Sequence, residues 1–147
     1  MDQETTEESN EESYILVWLT GIVFLVAMAA IFLFVPTEQT EGPIQRIMYI
    51  HIPSAWLSFF AFFIVFICSI LFLWKKEREW DIYAHASAEI GVIFCSLVLI
   101  TGPIWAKPIW GTWWVWDARL TSTLILWLIY VAYLMLRAQT DAGSMRA

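Results

Sequence analysis

Apolar residues are gathered into four runs separated by short polar stretches. Tyr14 to Val35 carries no charged residue over 22 positions. As helix that run is about 33 Å long, which matches the ~30 Å hydrocarbon core of a bilayer. Ser54 to Trp74 and Leu120 to Leu136 are also uncharged, and Ala84 to Trp105 has Glu89 as its one formally charged residue. The breaks between the runs read TEQTEGP, KKEREWD and a tryptophan-rich stretch ending in DAR. This spacing predicts an all-α, polytopic membrane protein with four transmembrane helices at about 14–35, 54–74, 84–105 and 120–136.

Within that four-span domain, residues 14–137, short amphipathic surface helices are expected on one side. Ile44 to Ile52 places Ile44, Ile47 and Met48 among Arg46 and His51. Pro43 suits a first helical turn and Pro53 biases Ile52 out of helix, so a short surface helix ending near His51 is predicted. Pro108 is read as opening a second, which would set Trp110, Trp113, Trp114 and Asp117 on one face at i, i+3, i+4 and i+7. Residues 1–13 are polar and without periodicity and read as a disordered tail, with 138–147 as a short polar tail. No cationic segment precedes the first run, which argues against a removable signal peptide.

Composition sharpens this reading. The chain is 60% hydrophobic and 17% aromatic, above the ~45–50% apolar content of soluble domains. The net charge of −6 is local: Asp2, Glu4, Glu7, Glu8, Glu11 and Glu12 stand in the first twelve residues with no base among them. The rest of the chain is balanced, and a basic nucleic-acid footprint is absent. Cys68 and Cys95 form no CxxC motif and read as buried thiols. Lys75, Lys76, Arg78, Arg137 and Arg146 fall on one side of a four-span topology, and Arg46, Lys107 and Arg119 on the other. The positive-inside rule makes the first side cytoplasmic, with both termini. His51 and the tryptophan stretch, 105–119, then share the outer, periplasmic side.

Five of the ten tryptophans stand at 105, 110, 113, 114 and 116, followed by Asp117 and Arg119. Indoles can stack against a flat apolar ring, a neutral imidazole can bind iron, and guanidinium forks can hold carboxylates. A haem has all three needs. The plainer reading is an interfacial aromatic belt, with Asp117 capping the fourth span and Arg119 reaching for the headgroups. Met48 stands near His51 but suits an apolar face. Glu89 is a candidate because acids inside membranes are costly, and His85 suits an interfacial position.

The stretch WGTWWVWDARLT, Trp110 to Thr121, resembles the tryptophan-rich signature of haem-handling proteins in cytochrome c biogenesis. With KPIWG before it and RIMYIHIPSAW (Arg46 to Trp56) upstream, it is similar to the haem exporter protein C family, also called cytochrome c maturation protein C. The resemblance covers roughly residues 44–137. It implies a haem-binding and haem-transfer protein of the bacterial inner membrane that works with ABC-transporter subunits, a small single-span partner and a periplasmic haem chaperone. It implies haem b as a transferred ligand and His51 as an axial ligand of its iron. Trp110, Gly111, Trp113, Trp114, Trp116 and Asp117 would line the haem, with Arg46 and Arg119 at its propionates. No catalytic residue is implied, since delivery is ligand exchange. Family members usually have six spans and a second axial histidine in the last outer loop. This sequence has four, and its other histidine, His85, begins the third span at the opposite end. Two rival readings are a haem ligase related to cytochrome c synthetases, whose signature continues WDPKE or WDPVE where WDARLT stands here, and a structural subunit whose tryptophans only anchor it.

Overall fold

The computed structural model describes residues 2–144 and is helical throughout apart from turns and one isolated bridge between Glu38 and Gly42. Helix α1 is Asp2–Ala29, continued by a π-helical turn at Ala30–Phe34. A 3-10 turn at Pro43–Ile47 is followed by α2 (Met48–Lys75), α3 (Arg78–Trp110) and α4 (Ala118–Ser144). Among the described residues, four stretches are long and apolar enough to cross a membrane: Ser13–Phe34, Pro43–Lys75, Arg78–Trp110 and Ala118–Gln139. The protein is therefore a multi-pass membrane protein of the expected all-α class.

The chain divides into two compact units, Met1–Arg46 and Ile47–Ala147. In the first, the apolar part of α1 presents side chains on every side, with Trp18 and Phe24 among its exposed residues. A helix apolar all round is one made for lipid. Helix also runs through residues 2–13, which the charge pattern assigns to disordered chain. Once the apolar span has formed, adding residues to its end is cheap, and Glu is a good helix former. At the other end of the span Arg46 donates to the carbonyls of Phe32 (2.9 Å) and Val35 (3.1 Å). It thus satisfies C-terminal carbonyls that a helix leaves open. Glu38 accepts from the backbone N–H of Thr40 and Glu41, and the Glu41 bond holds its carboxyl below the usual range.

The second unit is three antiparallel helices. Contacts that climb one helix as they descend its neighbour fix the direction: His51 with Thr101 and Ser58 with Gly91 between α2 and α3, Trp127 with Ser96 and Arg137 with Asp81 between α4 and α3. On α3, Ala84, Ala88, Gly91 and Cys95 are buried at i, i+4, i+7 and i+11, facing Ser58, Ala61, Phe62, Val65 and Cys68 of α2. Small residues let membrane helices approach closely, where packing rather than water drives association. The approach is tightest at Gly91, where a β-carbon would lie 2.5 Å from Phe62 Cε1. Phe62 in turn stacks on Tyr130 of α4 at 4.0 Å between ring centres, so the packing at Gly91 extends to all three helices.

Two expected breaks do not occur. α2 runs through Pro53 rather than starting there, so no separate surface helix ends at His51. Proline removes one N–H bond, and here the loss falls on the first turns, where Ser54 Oγ donates to the Ile50 carbonyl at 2.7 Å. α3 likewise continues through Pro103 and Pro108 to Trp110. Its 33 residues make about 50 Å of helix, well beyond a ~30 Å core. The helix is therefore longer than a perpendicular crossing of the bilayer requires.

Candidate functional site

One end of the three-helix unit gathers the start of α2, the end of α3 and the start of α4. A cavity of about 270 Å³ opens there, walled by Met48 and His51 from α2, Trp105 and Trp110 from α3, and Trp113, Trp114 and Arg119 beyond it.

The geometry of the tryptophan stretch follows from how α3 stops. Gly111 adopts φ +76°, a left-handed conformation that side chains disfavour. Its N–H bonds the Lys107 carbonyl at 3.0 Å. Lys107 Nζ folds back onto the Gly111 carbonyl at 2.8 Å, placing a cation at the negative helix end. From Thr112 to Asp117 the chain is irregular. The single helical face predicted for Trp110, Trp113, Trp114 and Asp117 is thus overturned: α3 does not end at Pro108, and Gly111 ends it one residue after Trp110. The indoles meet in another way. Trp105 and Trp110 pack edge to face at 5.1 Å, and Trp114 and Trp116 do so at 5.7 Å. Thr112 Oγ1 accepts the Trp114 N–H and donates to the Trp114 carbonyl, closing the loop on itself.

Asp117 opens α4. Its Oδ1 accepts the Leu120 N–H at 2.7 Å, a side-chain cap of the type that stabilises helix starts. Its Oδ2 meets Arg119 Nη2 at 3.3 Å. The Arg119 guanidinium carbon stands 5.7 Å from the Trp110 ring centre, within reach of a cation–π contact. The side chain is 70% exposed, so most of its donors face outward.

His51 reaches across to α3. Its Nδ1 lies 2.8 Å from Thr101 Oγ1, and Thr101 Oγ1 donates to the Leu97 carbonyl at 2.6 Å. Gly102 lies against the ring: a β-carbon there would stand 3.4 Å from His51 Cε1, an ordinary contact distance. Trp114 of the cavity wall has a buried indole Nε1 with no hydrogen-bond partner.

Of the residues singled out in the sequence, His51, Trp110, Trp113, Trp114 and Arg119 share the cavity wall. Gly111 and Asp117 shape it from behind as the two helix caps, and Trp116 packs on Trp114 with 76% of its surface exposed. Arg46 belongs to the first unit, engaged on the carbonyls of its own span. Thr101 and Gly102 are additions that the sequence reading did not assign. Their signal is the antiparallel register of α2 against α3, which a single sequence does not display. His85 lies at the far end of α3, where Glu89 Oε1 stands 3.6 Å from its Nε2.

The arrangement suits a flat, apolar, anionic ligand carrying a metal. Indoles bound it, a guanidinium stands at its rim, and an imidazole held by its Nδ1 side lines the wall. An unsatisfied indole N–H adjoins it.

Comparison with known proteins identifies the family. Residues 3–147 match the family described as Heme exporter protein C. A ccmC-like mitochondrial protein of Marchantia polymorpha is 41% identical over 119 residues, 79% of this chain and 52% of its own length. Heme exporter protein C of Bradyrhizobium diazoefficiens is 38% identical over 135 residues, 90% of this chain and 51% of its own length. That of Escherichia coli strain K12 is 39% identical over 103 residues, 70% and 42% respectively. The chain thus spans about half the length of the curated relatives it matches. With a match running from residue 3 to residue 147, and with its tryptophan-rich loop and four apolar helices, this chain belongs to the haem exporter protein C family.

Proposed function

We propose that the chain binds haem at the cavity between α2, α3 and the tryptophan loop and presents it for transfer in cytochrome c biogenesis. The observation that carries this is the convergence of His51, four tryptophans and Arg119 on one cavity from three separate helix ends. His51 supplies an axial nitrogen to the iron. Trp110, Trp113 and Trp114 wall the ring, Trp116 extends the wall outward, and Gly111 and Asp117 set the loop. Arg119 takes a propionate at the cavity rim.

A cavity of about 270 Å³ falls just below the ~300–1,000 Å³ range for ligand sites. A macrocycle seated there keeps one edge outside, among the exposed indoles. That is what a carrier needs, because the next protein must reach the ligand before the first lets go. The chemistry is ligand exchange, with no bond made or broken in the porphyrin. Haem b is the cargo. The cationic end of α2, α3 and α4, with Lys75, Lys76, Arg78 and Arg137, faces the cytoplasm. The cavity then opens on the periplasmic side of the bacterial inner membrane, facing a periplasmic haem chaperone. ABC-transporter subunits and a small single-span protein complete the system.

The test is co-purified haem. Wild-type protein from haem-replete cells is expected to show a Soret band, and His51→Ala to lose most of it at equal protein yield. Equal haem occupancy in the two would remove His51 from the site.

A further inference from the structure

A histidine binds a metal through whichever ring nitrogen lacks a proton, and the hydrogen bond at the other nitrogen decides which one that is. At His51 the network fixes the choice. Thr101 has a single hydroxyl proton. Its Oγ1 lies 2.6 Å from the Leu97 carbonyl oxygen, and two oxygens that close require the proton between them. Thr101 Oγ1 is then an acceptor toward His51 Nδ1, 2.8 Å away. Nδ1 therefore carries the proton, and Nε2 is left with its lone pair.

We infer that Thr101 is a positioning residue for His51: by accepting the Nδ1 proton it holds the imidazole in the tautomer whose Nε2 is bare, at the wall of the cavity. This rests on the reading of His51 as an iron ligand. The chain of bonds runs imidazole N–H to hydroxyl to helix carbonyl, and each bond polarises the next. Its acceptor is a hydroxyl backed by an amide. A carboxylate in that place would push more charge onto the imidazole and bind metal harder. A hydroxyl gives a moderately basic ligand, which suits a cargo that must leave. Thr101 and His51 both sit on helices, so the ring is aimed before any ligand arrives.

The experiment uses the full chain with His85→Ala as background, so that His51 is the one histidine. In haem-free protein in detergent, the imidazole ¹⁵N spectrum is expected to show a protonated Nδ1 and a pyridine-type Nε2. Thr101→Val, which keeps the shape but loses the hydroxyl, is expected to shift the ring toward the Nε2–H form, and Thr101→Ser to restore the original spectrum. In haem-loaded ferrous protein, Thr101→Val is expected to lower the iron–imidazole stretching frequency. It should also weaken haem binding roughly 10–100-fold, the usual effect of removing such a partner; Thr101→Ser should match the parent. An Nε2–H spectrum in the parent protein, or Thr101→Val unchanged in both spectra, overturns the inference. Full haem occupancy in His51→Ala would instead overturn the ligand reading beneath it. The two failures are separable, because the tautomer is read without haem.

Discussion

Two arginine–aspartate pairs stand at opposite ends of the three-helix unit, and they are built differently. Arg137 of α4 grips Asp81 of α3 with two nitrogens on two oxygens and also donates to Tyr133 Oη at 3.1 Å. Its side chain is 21% exposed and that of Asp81 31%. Such a fork fixes geometry as well as charge, and it ties two helices whose residues are 56 positions apart. Arg119 meets Asp117 by one 3.3 Å contact with a residue two positions away, and its side chain is 70% exposed. The first arginine has committed both terminal nitrogens inside the protein, with its Nε left unpartnered, whereas the second makes one side-chain bond. The same contrast extends to the neighbours. Trp80 at the cationic end donates its indole N–H to Glu77 at 2.9 Å, while Trp114 beside the cavity leaves its own without a partner. One end is clamped by a fork between two helices, and the other carries a loosely held arginine beside the cavity.

Breaking each pair in turn tests that division. The largest effect on stability is expected at the clamp. Arg137→Met strands the Asp81 carboxylate, and losing hydrogen bonds to a charged group costs about 1.5–3 kcal/mol. Unfolding in mixed detergent should shift accordingly, while haem bound per folded molecule stays as in wild type. Arg119→Met should do the reverse. Haem affinity, read by competition with an apo-haem acceptor, is expected to fall about tenfold, with stability within about 0.5 kcal/mol of wild type. The smallest change is expected for Asp117→Asn. Asparagine caps a helix as well as aspartate does, and an exposed ion pair contributes about 0–1 kcal/mol. Haem affinity should move by less than about threefold, in the direction of tighter binding as Arg119 is released. A large stability loss in Arg119→Met, or a haem defect in Arg137→Met, would break the contrast.

The four spans were legible because charge-free runs of membrane length have few alternative fates. The ends of those runs were not. Pro53 and Pro108 read locally as helix starts, yet α2 and α3 run through both. Adjacent helices in a membrane re-satisfy what proline takes away, and a bilayer penalises an open backbone more than water does. That is why the tryptophans meet through Gly111 and an irregular loop rather than along one helical face. Local signals did expose Asp117, whose capping role needs only the residues just after it. The pairs that cross between helices had no such signal. His51 with Thr101 and Asp81 with Arg137 depend on the register of antiparallel helices, set by small residues such as Ala88 and Gly91. The family resemblance pointed to His51 and the tryptophan loop. It did not point to the hydroxyl that holds the imidazole.

The most direct measurement is the magnetic coupling between ferric haem iron and a histidine nitrogen in protein grown with ¹⁵N-histidine. In the His85→Ala background only His51 carries the label. Pulsed electron paramagnetic resonance is expected to show a strongly coupled ¹⁵N from a directly bound imidazole, lost in the double variant with His51→Ala. A haem-loaded sample in which no labelled nitrogen couples to the iron would contradict the assignment of this cavity as the haem site.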